Sequence, residues 1–143
     1  MPQRLVRDVI SNRPPVSVSP QTTVRKAAQT MTLTGVGAVL VMERGKIQGI
    51  FTERDALNRV LAVGLDPDTT PVDGVMTAHP RCMEADRPLS YAMEVMHDSG
   101  FRHMPVTADG EAVGVISMRD ALGVELIHLE QNVNDLEHIA QSL

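Results

Sequence analysis

The sequence predicts a mixed α/β (α+β) fold, with two β-α-β-β-α units packed as a pseudo-twofold pair and a further helix at the C-terminus. An internal repeat with an offset of 65 residues is the first observation behind this reading. The second is a hydrophobic period that switches between helix and strand at the same places in both copies. The third is an apolar heptad seam that begins where the second copy ends.

Sliding the chain by 65 aligns 19–57 with 84–122. The identities include Ala27/Ala92, Met31/Met96, Gly35/Gly100, Gly49/Gly114, Arg54/Arg119, Asp55/Asp120 and Leu57/Leu122. A one-residue slip ahead of this block pairs Val9 with Val75 and Pro14 with Pro80. The organisation that follows is a first repeat over 1–64, a polar connector over 65–74, a second repeat over 75–122 and a C-terminal helix over 123–143. A copy of about 60 residues buries little surface alone, so the two are expected to share a core.

Within each copy the elements follow in order. Alternation at Val16, Ser17 and Val18 predicts a short opening strand. Val24, Ala27, Ala28 and Met31 fall at i, i+3, i+4, i+7, the stripe of a helix, and Leu89, Ala92, Met93 and Met96 repeat it. Pro88 suits a first helical turn, and Gly35 and Gly100 stand where a helix stops in a left-handed conformation. Two β-rich runs follow, Val36 to Met42 and Lys46 to Phe51, around a turn ending in Gly45. In the second copy that turn is Asp109-Gly110, a strong hairpin signal. A second helix opens at Thr52 or Ser117.

Composition narrows the function. The 143 residues carry 13 basic and 18 acidic side chains, a net charge of −5, with no basic run to meet phosphates along a nucleic acid. Two Phe, one Tyr and no Trp leave no stacking platform for single strands, and the core falls to aliphatic residues and nine Met. The lone Cys82 excludes an internal disulfide and is expected to pack as a small hydrophobe. The five His show no zinc spacing with it, so no metal site is expected. His79, ahead of Pro80, reads as a turn residue. No nucleophile–base constellation stands out, which points away from an enzyme. No run approaches the ~20 apolar residues of a membrane helix and no signal-peptide run opens the chain, so a cytoplasmic address is expected.

The most similar stretch between copies is Gly49-Ile-Phe-Thr52-Glu-Arg-Asp55 against Gly114-Val-Ile-Ser117-Met-Arg-Asp120. A hydroxyl three residues ahead of an acid at a strand-to-helix junction is close to a capping box. It equally suits a nucleotide cradle, with the glycine allowing close approach and the carboxylate facing ribose hydroxyls. Spacing alone does not choose between the two.

The repeat order and the doubled Gly-x-x-[Ser/Thr]-x-x-Asp ending resemble the tandem CBS (cystathionine-beta-synthase-type) domain from about Val9 to Leu122. The resemblance implies a regulatory module binding adenosine-type ligands (AMP, ADP, ATP, sometimes NAD or S-adenosylmethionine) between its copies, with no required cofactor. It places Thr52 and Asp55 in one cleft and Ser117 and Asp120 in the other. The second copy enters its strand as Phe101-Arg102-His103, where the first has Val36-Gly37-Ala38. That basic pair is similar to the phosphate-contacting positions of nucleotide-binding members such as the regulatory subunit of AMP-activated kinase. By the cross-copy rule of the family, the better-equipped cleft combines Thr52, Asp55, Arg102 and His103, while Ser117 and Asp120 face Gly37 and Ala38. The alternative is an interaction module whose clefts hold no ligand.

Beyond the repeats, Leu122, Leu126, Leu129, Val133, Leu136, Ala140 and Leu143 alternate at spacings of four and three. This seam predicts either a helix folded back on its own domain or one pairing with a second chain. Together with the flat two-chain disc common in the family, it leads to the expectation of a homodimer that signals to a downstream protein.

Overall fold

A computed structural model describes residues 3–10 and 14–142. Leu143 of the heptad seam lies outside the described residues.

The first repeat builds a sheet from β1 (Ser17–Val18), β2 (Ala38–Glu43) and β3 (Lys46–Thr52), with β4 (Thr77–Ala78) added at its edge. β1 runs parallel to β2, with Ser17 opposite Leu40, while β2 and β3 form an antiparallel hairpin with Leu40 opposite Ile50. Helix α1 (Val24–Thr34) crosses from β1 to β2, as a parallel connection requires. Thr23 caps it by accepting from the Lys26 N–H. Gly35, at φ 71°, ends it. The Val36 N–H then bonds the Met31 carbonyl at 3.1 Å, closing a Schellman motif. That bond explains why the strand begins at Ala38 and not at the expected Val36: the backbone of Val36 still belongs to the helix end.

The second repeat copies this plan with β5 (Met83–Glu84), α3 (Leu89–Ser99), β6 (His103–Ala108) and β7 (Glu111–Ser117). Pro88 stands one residue outside the helix, at the N-cap. Both hairpins carry a register shift at equivalent places, Val41/Met42 and Val106/Thr107. Both turn through two left-handed residues, Arg44-Gly45 and Asp109-Gly110, as a two-residue hairpin of primed type needs. Only the second turn announces itself in composition.

The helices that follow the hairpins differ. In the first repeat a single turn, α2 (Glu53–Asp55), passes into a π-helical stretch over Ala56–Leu61, with the Ala62 N–H reaching the Leu57 carbonyl at 2.9 Å. In the second, α4 (Met118–Ser142) runs unbroken through Gly123.

The leading segments exchange places. Val6 is fully buried in the second repeat's core with Met83, Leu89, Met96, Met104 and Ile116. Its N–H bonds the Arg87 carbonyl at 2.9 Å, and the Leu89 N–H bonds the Arg4 carbonyl at 2.8 Å. The connector does the same for the first repeat: Val72 is fully buried among Val24, Ala27, Val39 and Phe51. Its N–H bonds Thr22 at 2.8 Å, and the Val24 N–H bonds Thr70 at 2.9 Å. Arg25 of α1 also pairs with Asp68 of the connector. Each repeat therefore completes its core with a segment that precedes the other. A third apolar cluster, Ala38, Leu40 and Ile50 with Ala112 and Val115, joins the two sheets. Among the described residues no helix is long and apolar enough to cross a membrane.

Candidate functional site

β3 ends on one side of the junction between repeats and β6 begins on the other, and a cleft of about 730 Å³ opens between them. Thr52, Glu53, Arg54, Asp55, Leu57 and Asn58, with Thr77 of β4 beside them, form its first wall; Pro80, Arg81, Phe101, Arg102 and His103 form the facing wall. Thr52, Asp55, Arg102 and His103, expected together across the copies, line this one space. The Arg54 guanidinium spans the two walls, with Nη1 3.5 Å from the Gly100 carbonyl.

Thr52 and Asp55 form the complete capping box. The Thr52 hydroxyl accepts from the Asp55 N–H at 3.1 Å, and Asp55 Oδ2 accepts from the Thr52 N–H at 3.0 Å. The Thr52 hydroxyl also lies 3.1 Å from Oδ2, and Arg59 Nε stands 3.6 Å from Oδ1. The Asp55 side chain is 12% exposed, so one carboxylate orders the helix start while keeping lone pairs open to the cleft.

The second copy is looser. Ser117 accepts from the Asp120 N–H at 3.0 Å, and Asp120 is exposed. Neither residue lines the cleft. Ser117 lies opposite His103 in the β6–β7 ladder. The space above Gly37 is taken by His103 itself: a Cβ on Gly37 would lie 3.1 Å from His103 Nε2 and 3.2 Å from Glu53 Oε1. Gly37 is thus bare to admit the imidazole, and Ala38 is buried in the inter-sheet cluster.

Burial pushes the His103 imidazole below its usual pKa; the Glu53 and Asp120 carboxylates oppose that shift and the Arg102 guanidinium adds to it. Burial thus favours the neutral imidazole, and the fixed cations of the cleft are Arg54, Arg81 and Arg102. Arg81 has no counterpart in the repeat and carries no motif, so nothing in the sequence marks it. The Tyr91 hydroxyl, 3.3 Å from its Nη2, holds it.

Two expectations change here. The close approach expected at Gly49 is to the protein itself and not to a ligand: a Cβ there would lie 2.8 Å from the Thr77 carbonyl oxygen of β4 and 2.3 Å from Met76 Sδ. Its bareness serves strand packing. Gly114 faces the Ile10 side chain less tightly, at 3.1 Å. Cys82 is exposed, not packed inside; the next residue, Met83 at the start of β5, is the one buried. His79, at φ 48°, bends the chain at the end of β4, while its N–H still bonds the Gln48 carbonyl of β3 at 3.1 Å.

The CBS domain family model matches residues 6–62 and 72–126. The chain is 42% identical over 109 residues to the meiotically up-regulated gene 70 protein of Schizosaccharomyces pombe, covering 76% of this chain and 15% of that protein. It is 38% identical over 104 residues to the CBS domain-containing protein CBSCBSPB1 of Arabidopsis thaliana, covering 72% and 19%. The chain thus spans under a fifth of these two relatives. A CBS-domain containing protein from Agrobacterium tumefaciens superposes with a TM-score of 0.78 at 31% identity, covering 85% of this chain and 99% of that one. A CBS domain protein from Pyrobaculum aerophilum complexed with AMP superposes with a TM-score of 0.75 at 30% identity, covering 82% and 89%. With both repeats matched by the family model and the paired fold shared with solved members, the chain belongs to the CBS-domain family and carries two CBS domains in tandem.

Proposed function

We propose that this chain is a regulatory CBS-pair module that binds an adenine nucleotide, AMP, ADP or ATP, in the cleft between its repeats and passes the change to a protein partner. The carrying observation is the cleft itself: one repeat supplies a hydroxyl and a carboxylate, the other supplies Arg102 and His103, in about 730 Å³. That volume lies within the range of small-ligand sites. The AMP complex of the Pyrobaculum relative supports the ligand class. Asp55 and Thr52 would meet ribose hydroxyls, with phosphates toward Arg102 and His103. Ser117 and Asp120 are assigned to the second, less charged site. A ligand gripped by both walls favours one relative placement of the repeats, which is how binding would reach a partner. The module works as a homodimer, in the cytoplasm.

A screen of AMP, ADP, ATP and adenosine by thermal shift tests this. A ligand at a hundred times its Kd should add about 2.7 kcal/mol. Replacing Arg102 by Gly and His103 by Ala, the first copy's own residues, should weaken the phosphorylated ligands far more than adenosine. An equal loss for adenosine would show only a damaged strand. A second reading, an interaction module without a ligand, draws on the fact that Asp55 is already engaged by Thr52 and Arg59. It is the outcome if no nucleotide shifts the melting temperature.

A further inference from the structure

The root of α4 is packed on the second repeat, with Ala121 fully buried and Val124 against the same cluster. Past Leu126, where the family model ends, the helix continues to Ser142 with its seam uncovered. Leu126, Leu129, Val133 and Leu136 are 57%, 56%, 52% and 66% exposed. The fold-back expected as one alternative is not what covers them.

Charge selects what does. From Asp120 to Gln141 the helix carries Asp120, Glu125, Glu130, Asp135 and Glu137, and no Lys or Arg. With Leu126 and Val133 at a and Leu129 and Leu136 at d, the seam is flanked by Glu130 and Glu137 at e and Glu125 at g. Those flanks set partner choice in paired helices. In a parallel pair of identical tails, Glu125 of one would face Glu130 of the other. In an antiparallel pair the e positions would meet each other, again acid to acid or acid to neutral. Pairing with itself gives this seam no cation in either direction.

We infer that the seam over Leu126–Leu136 is a docking surface for a basic amphipathic helix of another protein, one with apolar residues at heptad spacing and Lys or Arg beside them. Such a helix covers the exposed leucines and neutralises Glu125, Glu130 and Glu137 in the same contact. This inference is independent of the nucleotide reading, because its test uses the ligand-free chain.

The probes are two labelled synthetic peptides of three heptads, each with Leu at a and d, one with Lys and one with Glu at e and g. Fluorescence anisotropy with the full chain should show binding of the Lys peptide that weakens with salt, and no binding of the Glu peptide. In the Glu130→Lys/Glu137→Lys variant the preference should reverse, by at least about tenfold for each peptide, a change of 1.4 kcal/mol or more. Asp135→Lys, which alters charge on a position away from the seam, should leave both affinities nearly unchanged. Lys-peptide binding that survives the double reversal, or is lost equally with Asp135→Lys, overturns the proposal, as does absence of binding. A dimer that dissociates when the chain is cut after Leu126, and that the Lys peptide does not disturb, assigns the seam to a second copy and also overturns it.

Discussion

Asp55 carries two duties on one carboxylate, and they separate by measurement. As a cap it satisfies the Thr52 N–H, and losing a capping side chain costs about 1 kcal/mol of stability. As a ribose partner it would add a charged hydrogen bond of about 1.5–3 kcal/mol to binding. Asp55→Ala should therefore lower both stability and nucleotide affinity, while Asp120→Ala, exposed and away from the cleft, should lower affinity less. Denaturation with calorimetry on the same samples decides: a stability loss with unchanged affinity leaves Asp55 as a cap alone. His103 gives a pH signature. Its folded pKa lies below the unfolded value of about 6.5, so the unfolded chain binds the extra proton more readily. His103's contribution to stability is full above that value and is lost as pH falls through the lowered folded pKa. A phosphate in the cleft would favour the protonated ring, so nucleotide affinity should rise as pH falls from 8 to 6. The ligand phosphate titrates there too, and the difference from His103→Gln isolates the residue. Identical pH slopes for both chains would remove His103 from phosphate contact. These residues were legible because the repeat made Thr52 and Asp55 recur and made Arg102 and His103 stand out against Gly37 and Ala38. Arg81 was not, since a single arginine in a loop has neither period nor partner in sequence.

Helices and hairpins followed from periodicity and turn residues in both copies, since those signals are local. What escaped depended on contacts between distant segments. The π-helical stretch Ala56–Leu61 has the same opening residues, Ala and Leu, as the regular helix at Ala121 and Leu122, and nothing in the pattern separates them. Gly49 and Gly114 were visible as invariant between copies, but their purpose was not. The structure assigns them to packing against the segments before each opposite repeat, and the two differ in how the neighbour can yield. At Gly49 the obstacle includes the Thr77 backbone carbonyl; at Gly114 it is the Ile10 side chain at 3.1 Å or more. Gly49→Ala should cost about 1–3 kcal/mol through overpacking, and Gly114→Ala distinctly less, as read by thermal denaturation. Equal effects would mean that β4 moves as freely as a side chain.

At the scale of the whole molecule, the exchange of leading segments makes the two repeats one cooperative unit, because Val6 fills the second core and Val72 the first. The sequence shows the pairing of Val9 with Val75 as a slip in the repeat, yet not which core each valine enters. The same pseudo-symmetry places Leu57 and Leu61 of the first repeat at positions equivalent to Leu122 and Leu126 of the second. All four are exposed, at 55%, 74%, 45% and 57%. Each would contribute about 1.5–3 kcal/mol if fully covered, and two equivalent stripes on one chain suit a twofold partner whose own stripes are the same. The homodimer is accordingly expected to form through Leu57, Leu61 and Leu122, leaving the seam from Leu126 onward to its basic partner. Leu57→Glu/Leu122→Glu should shift the mass in sedimentation toward monomer and make the melting temperature independent of protein concentration. Truncation after Leu126 should leave the dimer intact. A native chain that is monomeric at micromolar concentration defeats the dimer altogether. A double variant that stays dimeric with unchanged dissociation places the contact elsewhere on the fold.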